Sequence, residues 1–289
     1  MKKLTVFTPT YNREQTLPKL YESLINQSNP GFCWLVVDDG STDGTEQLVQ
    51  NWQKQNKIEI TYIKQKNAGK MQAHNTGVLN TKTQFFVCVD SDDFLRKDAI
   101  DKILLVLPEV EKREDLCGIV AYKGKSETEE IGNKFPAIAE SSLEGLYDNG
   151  FKGDTTLVYK TGILKKYLFP KFENEKFIPE AFVYTQIDQK YKLKVLPEIC
   201  TICEYLEDGL TKNKFRNFKN NAYGMSEYYN LRSKYTKKLK NRVKWVIGYI
   251  CYALIAKRKW KFKNASRKFL YIVLFPFGLL LSLKRRRVK

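Results

Sequence analysis

Phe85-Phe86-Val87-Cys88-Val89-Asp90-Ser91-Asp92-Asp93 is an apolar run that ends in three carboxylates within four positions. A short continuous run of aromatic and β-branched residues reads as a strand buried on both faces. The acids at its carboxyl end repel one another unless a cation or solvent relieves them. Carboxylate oxygens placed this way suit Mg2+ or Mn2+, hard ions that also take phosphate oxygens. Taken alone, the tetrapeptide reads equally well as an acidic loop capping the helix that follows at Lys97.

Outward from this run, apolar β-branched segments at 4–8, 34–38 and 58–63 alternate with helical patterns at 17–27, 43–55 and 70–79. That alternation is the signature of a parallel sheet flanked by helices. Asp43 and Glu46 stand at capping-box spacing at the start of the second helix. Polar clusters follow the strands: Thr8-Pro9-Thr10-Tyr11-Asn12-Arg13, then Asp38-Asp39-Gly40-Ser41, then Asp90 to Asp93. In an open α/β sheet the carboxyl ends of the strands form one edge, where ligand crevices lie, so the three clusters are expected to converge. Further on, the pattern predicts a helix at 97–107, strands at 118–121, 156–159 and 193–196, a polar loop at 123–140 and a helix from Glu180.

Charge divides the chain. Of the net +18, residues 211–289 carry 23 Lys and Arg against one acid, Glu227, whereas the first 210 residues hold 27 basic and 31 acidic side chains. A basic nucleic-acid-binding protein is an alternative that the charge of the tail suggests, but this layout argues against it, because the converging acidic edge repels phosphates and the apolar blocks of the tail are too continuous for a phosphate-tracking surface. The six cysteines show no disulfide framework, and the isolated Cys200-Thr201-Ile202-Cys203 reads as two core thiols. Lys2-Lys3 precede only a strand-length apolar run, which is not a signal peptide, so the chain is expected to stay in the cytosol.

The order of the clusters carries a resemblance. Phe7 to Arg13, Val37-Asp38-Asp39-Gly40-Ser41-Thr42-Asp43 and Asp90-Ser91-Asp92-Asp93 resemble the successive motifs of family 2 glycosyltransferases, the last being their DXD motif. Asn67-Ala68-Gly69-Lys70, with Ala73, Asn75 and Gly77, is similar to the segment between them. The resemblance covers about residues 4–110 closely and implies the GT-A fold, an α/β Rossmann-like nucleotide-diphospho-sugar transferase sheet. By position it implies that Thr8, Pro9, Tyr11 and Arg13 line a base and ribose pocket and that Asp39, with Asp38 beside it, binds uracil or ribose. It also implies that Asp90, with Ser91, contacts ribose or sugar and that Asp92 ligates Mn2+ or Mg2+. Lys70 is placed to reach a donor phosphate, or is a solvated lysine at a helix start. His74, the only histidine, is read as a packing residue.

An inverting displacement, as the family performs, needs one carboxylate to deprotonate the acceptor hydroxyl. Glu180, at the start of a helical pattern in Lys176-Phe177-Ile178-Pro179-Glu180-Ala181-Phe182-Val183, is the candidate base, standing without the acidic neighbour usual in relatives. Asp154 is the runner-up. The segment 204–211 resembles the end of the catalytic domain in bacterial relatives. A sugar nucleotidyltransferase is the nearest enzymatic rival, but residues 8–13 are not its glycine-rich, lysine- or arginine-bearing loop.

The expected organisation is a catalytic domain at 1–210, with a donor half at about 1–110 and an acceptor half at about 111–210, followed by a basic helical tail at 211–289. Two apolar blocks in the tail, 245–256 and 269–283, are shorter than the ~20 residues of a spanning helix. Their cationic flanks, Lys257-Arg258-Lys259 and Lys284-Arg285-Arg286-Arg287, suit attachment to an anionic inner leaflet at the cytoplasmic face of the cell membrane. The alternative uses of these blocks are a soluble helical subdomain with a solvated basic face, or a dimer contact between copies. With the resemblance, the membrane reading implies a nucleotide-sugar donor, a UDP-sugar by family habit, and a polyprenyl-diphosphate-linked glycan acceptor in bacterial surface polysaccharide synthesis.

Overall fold

A computed structural model describes residues 2–203, 214–259 and 261–287. Along the chain it forms β1 (Leu4–Thr10), α1 (Leu17–Ile25), β2 (Phe32–Asp38), α2 (Thr45–Gln55), β3 (Ile60–Lys64), α3 (Lys70–Asn80), β4 (Phe85–Cys88), β5 (Asp93–Leu95), α4 (Ala99–Lys112), β6 (Leu116–Gly124), β7 (Glu140–Ser141), α5 (Leu143–Asp148), β8 (Thr155–Lys160), α6 (Thr161–Leu164), α7 (Ala181–Ile187), β9 (Lys192–Cys203), α8 (Lys214–Asn220), α9 (Ala222–Tyr235), α10 (Leu239–Ile255) and α11 (Lys268–Arg286).

The strands make one mixed sheet in the order β3-β2-β1-β4-β8-β6-β9-β5, with β7 paired to β9. The first four strands are mutually parallel, which gives the Rossmann-like half expected from the β/α alternation. β8 enters antiparallel between β4 and β6. The carboxyl ends of β1, β2, β3, β4 and β6 and the amino end of β8 therefore share one edge. β1 runs two residues past its expected end because Pro9 and Thr10 still pair with Val37 and Asp38 of β2. The missing Pro9 amide is harmless on the other side, where pairing with β4 stops at Phe7 and Cys88.

Burial explains the parallel half. β1 and β2 are buried almost throughout, and Trp34, Tyr21 and Trp52 stack beneath them, with Tyr21 and Trp52 centroids 4.2 Å apart. Trp34 is polar at one atom only, and its indole NH donates to Thr8 Oγ1 at 3.0 Å. α3 lies on the sheet face formed by Phe7, whose ring meets His74 edge-on at 5.7 Å.

Elements differ from expectation where proline and packing decide. α4 passes through Pro108 and ends at Lys112, so an internal proline fails to stop it. Its face carrying Ile100, Ile103, Leu107 and Val110 is buried in the main core, which holds the helix beyond the lost amide. β9 extends from 192 to 203 rather than ending at 196. Pro197 and Glu198 fall in a register shift between the pairs Ala121–Leu196 and Tyr122–Ile199, where no amide is needed. Both thiols of the Cys200-Thr201-Ile202-Cys203 stretch lie in this strand, and burial pushes each up to about 12, which keeps them protonated.

The chain divides into two compact units. One is Met1–Leu168 with Lys190–Leu206; the other is Phe169–Gln189 with Glu207–Lys289. Residue 180, counted with the catalytic domain on sequence, groups with the tail. In the second unit α10 packs against α9 and α11, and its apolar residues Val246, Tyr249, Ile250, Cys251, Tyr252 and Ala253 are buried. Arg258 is buried there too, held by Glu227 and by Ser226 Oγ at 2.7 Å. Among the described residues, no helix is long and apolar enough to cross a membrane.

Candidate active site

Four loops meet at the shared edge of the first unit and are tied to one another by side chains. Asp38, fully buried at the end of β2, accepts from the Ser41 amide at 2.7 Å and the Tyr62 hydroxyl at 2.6 Å. Burial and the Asp38 carboxylate together hold the Tyr62 phenol above its usual range, so it stays a donor. Asp39 turns the other way. Its Oδ1 accepts from Gln65 Nε2 at 2.7 Å and the Ala68 amide at 2.8 Å, and its Oδ2 accepts from the Gly69 amide at 2.7 Å. Both oxygens expected to meet a nucleoside thus shape the loop that leads into α3. Gly40, at φ +85, makes this crossing possible, since a Cβ there would stand 3.0 Å from the Asn67 amide nitrogen.

The β1 loop is fastened to the β2 loop in the same manner. The Asn12 amide donates to Ser41 Oγ at 2.9 Å, Asn12 Oδ1 accepts from the Thr42 amide at 2.9 Å, and the Arg13 amide donates to Thr45 Oγ1 at 3.0 Å. Asp43 does not form a capping box. α2 starts later, at Thr45, and Asp43 accepts from the Thr45 and Glu14 amides, each at 3.1 Å. Thr8 and Pro9 are buried in β1, with Thr8 engaged by Trp34, whereas Tyr11 and Arg13 are exposed at the loop surface. Tyr11 and Arg13 are therefore the members of that set whose side chains a ligand at this edge can reach.

The acidic loop is arranged as two ion pairs with one carboxylate left over. Lys70 Nζ, at the first turn of α3, is 2.7 Å from Asp90 Oδ1. Burial opposes ionisation of Asp90, but the Lys70 and Lys123 ammonium groups outweigh it and hold the carboxyl at about 2. Lys123 Nζ, near the end of β6, is 2.7 Å from Asp93 Oδ2. Burial and Asp90 raise Asp93 despite this partner, while Asp90 and Asp93 together raise Lys123 against its own burial and keep it protonated. Ser91 is buried. Asp92 is half-buried and makes no hydrogen bond or ion pair among the described residues.

That leftover carboxylate bears on the expected cation. Among the described residues, no group of three His, Cys, Asp or Glu side chains forms a ready cage. Mg2+ and Mn2+ commonly bind through one or two carboxylates and complete their shell with substrate phosphates. Asp92, two residues from Asp90, fits that donor set.

The two candidate bases fall in different units. Asp154 is exposed at the shared edge, immediately before β8, and its carbonyl accepts from the Lys123 amide at 3.2 Å. Glu180 is the N-cap residue of α7 in the second unit, and its carbonyl accepts from the Val183 amide at 3.1 Å. Residues 204–211 lie outside the described residues. The sequence reading missed Lys123, Tyr62 and Gln65. Lys123 had a signal, since it is a lone cation closing an apolar strand run, but its partner lies thirty positions away.

A family model described as Glycosyl transferase family 2 matches residues 5–168. The glycosyltransferase GlyA of Streptococcus pneumoniae is 33% identical over 147 residues, which cover 51% of this chain and 20% of that protein. The GalNAc(5)-diNAcBac-PP-undecaprenol beta-1,3-glucosyltransferase of Campylobacter jejuni is 26% identical over 276 residues, covering 83% of this chain and 85% of that protein. The crystal structure of S. aureus TarS 1-349 in complex with UDP-GlcNAc is similar in fold, with a TM-score of 0.63 at 17% identity over 99% of this chain and 89% of that one. The chain spans less than half the length of the first curated relatives it matches.

Proposed function

This chain belongs to glycosyl transferase family 2, and we propose that it transfers a sugar, with inversion, from a nucleotide-diphosphate donor to a lipid-linked saccharide at the cytoplasmic face of a bacterial membrane. The product is a surface polysaccharide or its precursor. The observation that carries this reading is the acidic loop, where Asp90 and Asp93 are neutralised by lysines and Asp92, without a partner among the described residues, is left to take a further cation. A UDP-sugar donor is supported by the fold shared with a protein solved with UDP-GlcNAc. A lipid-linked acceptor is supported by the name of the Campylobacter relative.

Tyr11 and Arg13 are proposed to face the base and ribose from the β1 loop. Asp38 and Asp39 serve the same pocket indirectly, by fixing the turn at Gly40 and the loop at 65–69. Lys70 exchanges Asp90 for a donor phosphate oxygen when the diphosphate arrives, and Asp90 with Ser91 then faces the ribose or sugar. A Mn2+ or Mg2+ ion, held by Asp92 and completed by the diphosphate, would supply positive charge for the leaving group.

In the reaction the acceptor hydroxyl oxygen bonds to the anomeric carbon as the bond from that carbon to the diphosphate oxygen breaks. The hydroxyl proton passes to a carboxylate. On the family resemblance that carboxylate is Glu180, with Asp154 as the alternative. Glu180→Gln and Asp154→Asn separate them, because the base variant loses turnover while retaining donor affinity.

The decisive experiment is calorimetric titration of the purified chain with a panel of nucleotide sugars, in Mn2+ and again in EDTA. One or a few donors should bind, more tightly with metal. Failure of every nucleotide sugar to bind in both conditions overturns the reading.

A further inference from the structure

The two apolar blocks of the tail have different surroundings. α10 carries the first block into the interior of the second unit. α11 carries the second block and is apolar on two opposite faces. One face, with Tyr271, Gly278 and Ser282, is buried, and Gly278 sits directly against Ile250 of α10. The other face presents Phe269, Ile272, Val273, Phe277, Leu280 and Leu283, with Phe269 77% and Leu280 65% exposed. Their spacing of three and four residues puts them on one stripe along a helix about 28 Å long.

We propose that this stripe of α11 is a docking surface for an anionic lipid bilayer, on which the helix lies in the plane of the interface. Charge selects this occupant over a second copy of the chain. The stripe is bracketed by Arg267 and Lys268 at one end and by Lys284, Arg285, Arg286 and Arg287 at the other. Two copies meeting through it, in either direction, would bring cationic ends together or against each other. The tail itself offers a single acid to relieve them, since residues 211–289 contain only Glu227, which is engaged by Arg258. Anionic headgroups neutralise both ends while the acyl boundary receives the apolar residues. The opposite face stays on α10, so the helix docks without leaving the unit.

The surface is tested by flotation of the full chain with vesicles of phosphatidylcholine, alone or with about one third phosphatidylglycerol. The wild type should float with the anionic vesicles and remain below with the neutral ones. Phe277→Glu with Leu280→Glu should lower the bound fraction at least about tenfold, as should Lys268→Glu with Lys284→Glu and Arg287→Glu. Nucleotide-sugar affinity should be unchanged in both. Undiminished flotation of the glutamate variants overturns the proposal. So does a shift of the F277E/L280E chain from dimer to monomer in sedimentation with vesicle binding intact, which would identify a second copy as the occupant. If the glutamate variants do not fold, Phe277→Trp decides. Quenching of its fluorescence by acyl-brominated anionic lipids supports the proposal, and absence of quenching overturns it.

Discussion

Lys70 Nζ stands 2.7 Å from Asp90 Oδ1, which joins the first turn of α3 to the loop after β4 across the carboxyl edge of the sheet. The pair sets a measurable acid limb. Because the folded-state carboxyl is depressed to about 2, its contribution to stability is complete above the unfolded carboxylate range and fades as pH falls from about 4 to 2. Lys70→Ala removes the nearer of its two cations. Urea unfolding in that window should show a flatter pH dependence for the variant, and the Asp90 carboxyl resonance should titrate at higher pH. The same variant should bind a nucleotide diphosphate about tenfold more weakly, a loss of roughly 1.4 kcal/mol.

Asp92→Asn separates chemistry from folding. The side chain is half-buried and without a partner among the described residues, so its replacement should leave the unfolding midpoint within about 0.5 kcal/mol of wild type. Turnover with the identified donor should fall by about 10²-fold or more, the scale seen when one electrostatic contact to developing charge is removed. A variant that retains full turnover at saturating Mn2+ would remove Asp92 from the cation site.

Asp39→Ala should behave in the opposite way. It strands the Ala68 and Gly69 amides and the Gln65 side chain, so stability should fall by about 3 kcal/mol in urea unfolding. Donor affinity should fall with it, since the loop that orients Lys70 loses its anchor. Wild-type stability in this variant would mean that the loop keeps its shape without the carboxylate.

Gly77→Ala tests the seat of α3. A Cβ at that position would run into the edge of the Phe7 ring. The clash should cost about 1–3 kcal/mol and exceed the gain of about 1 kcal/mol that alanine brings to a helix. Adding Phe7→Leu should recover part of the loss, read as a positive coupling in a double-mutant cycle.

The carboxyl edge of the parallel strands, proposed above as the donor side, was legible because its signals are local. Apolar runs such as 85–89 make parallel strands, and polar residues directly after each run fall on one edge by the geometry of the sheet alone. The functions of Asp38 and Asp39 within that edge were not legible, because their partners Tyr62, Gln65 and Gly69 belong to another strand and loop, and adjacent acids give no hint of turning to opposite sides. Lys123 escaped for the same reason. The helix expected at 97–107 and the strand expected at 193–196 end just short of Pro108 and Pro197, yet tertiary burial carries α4 past the first and a register shift absorbs the second. In the tail, composition located both apolar blocks but not their faces. Helical periodicity fixes which residues share a stripe, and only packing against α9 and α10 decides which stripe is covered.

β8 runs against its neighbours, so it begins at the edge where β4 and β6 end. Asp154, a residue that precedes a strand, is thereby set among residues that follow strands. The excursion between β6 and β8 leaves and returns at one neck, closed by the Lys123 amide and the Asp154 carbonyl, and touches the sheet on the way through β7, which pairs with β9. Length changes in its outer loops can alter what stands opposite Asp90 to Asp93 without moving the register of a single strand. The fold thus separates a fixed frame from a replaceable part, so that the loops of the excursion can vary while the carboxyl edge of the sheet keeps its geometry.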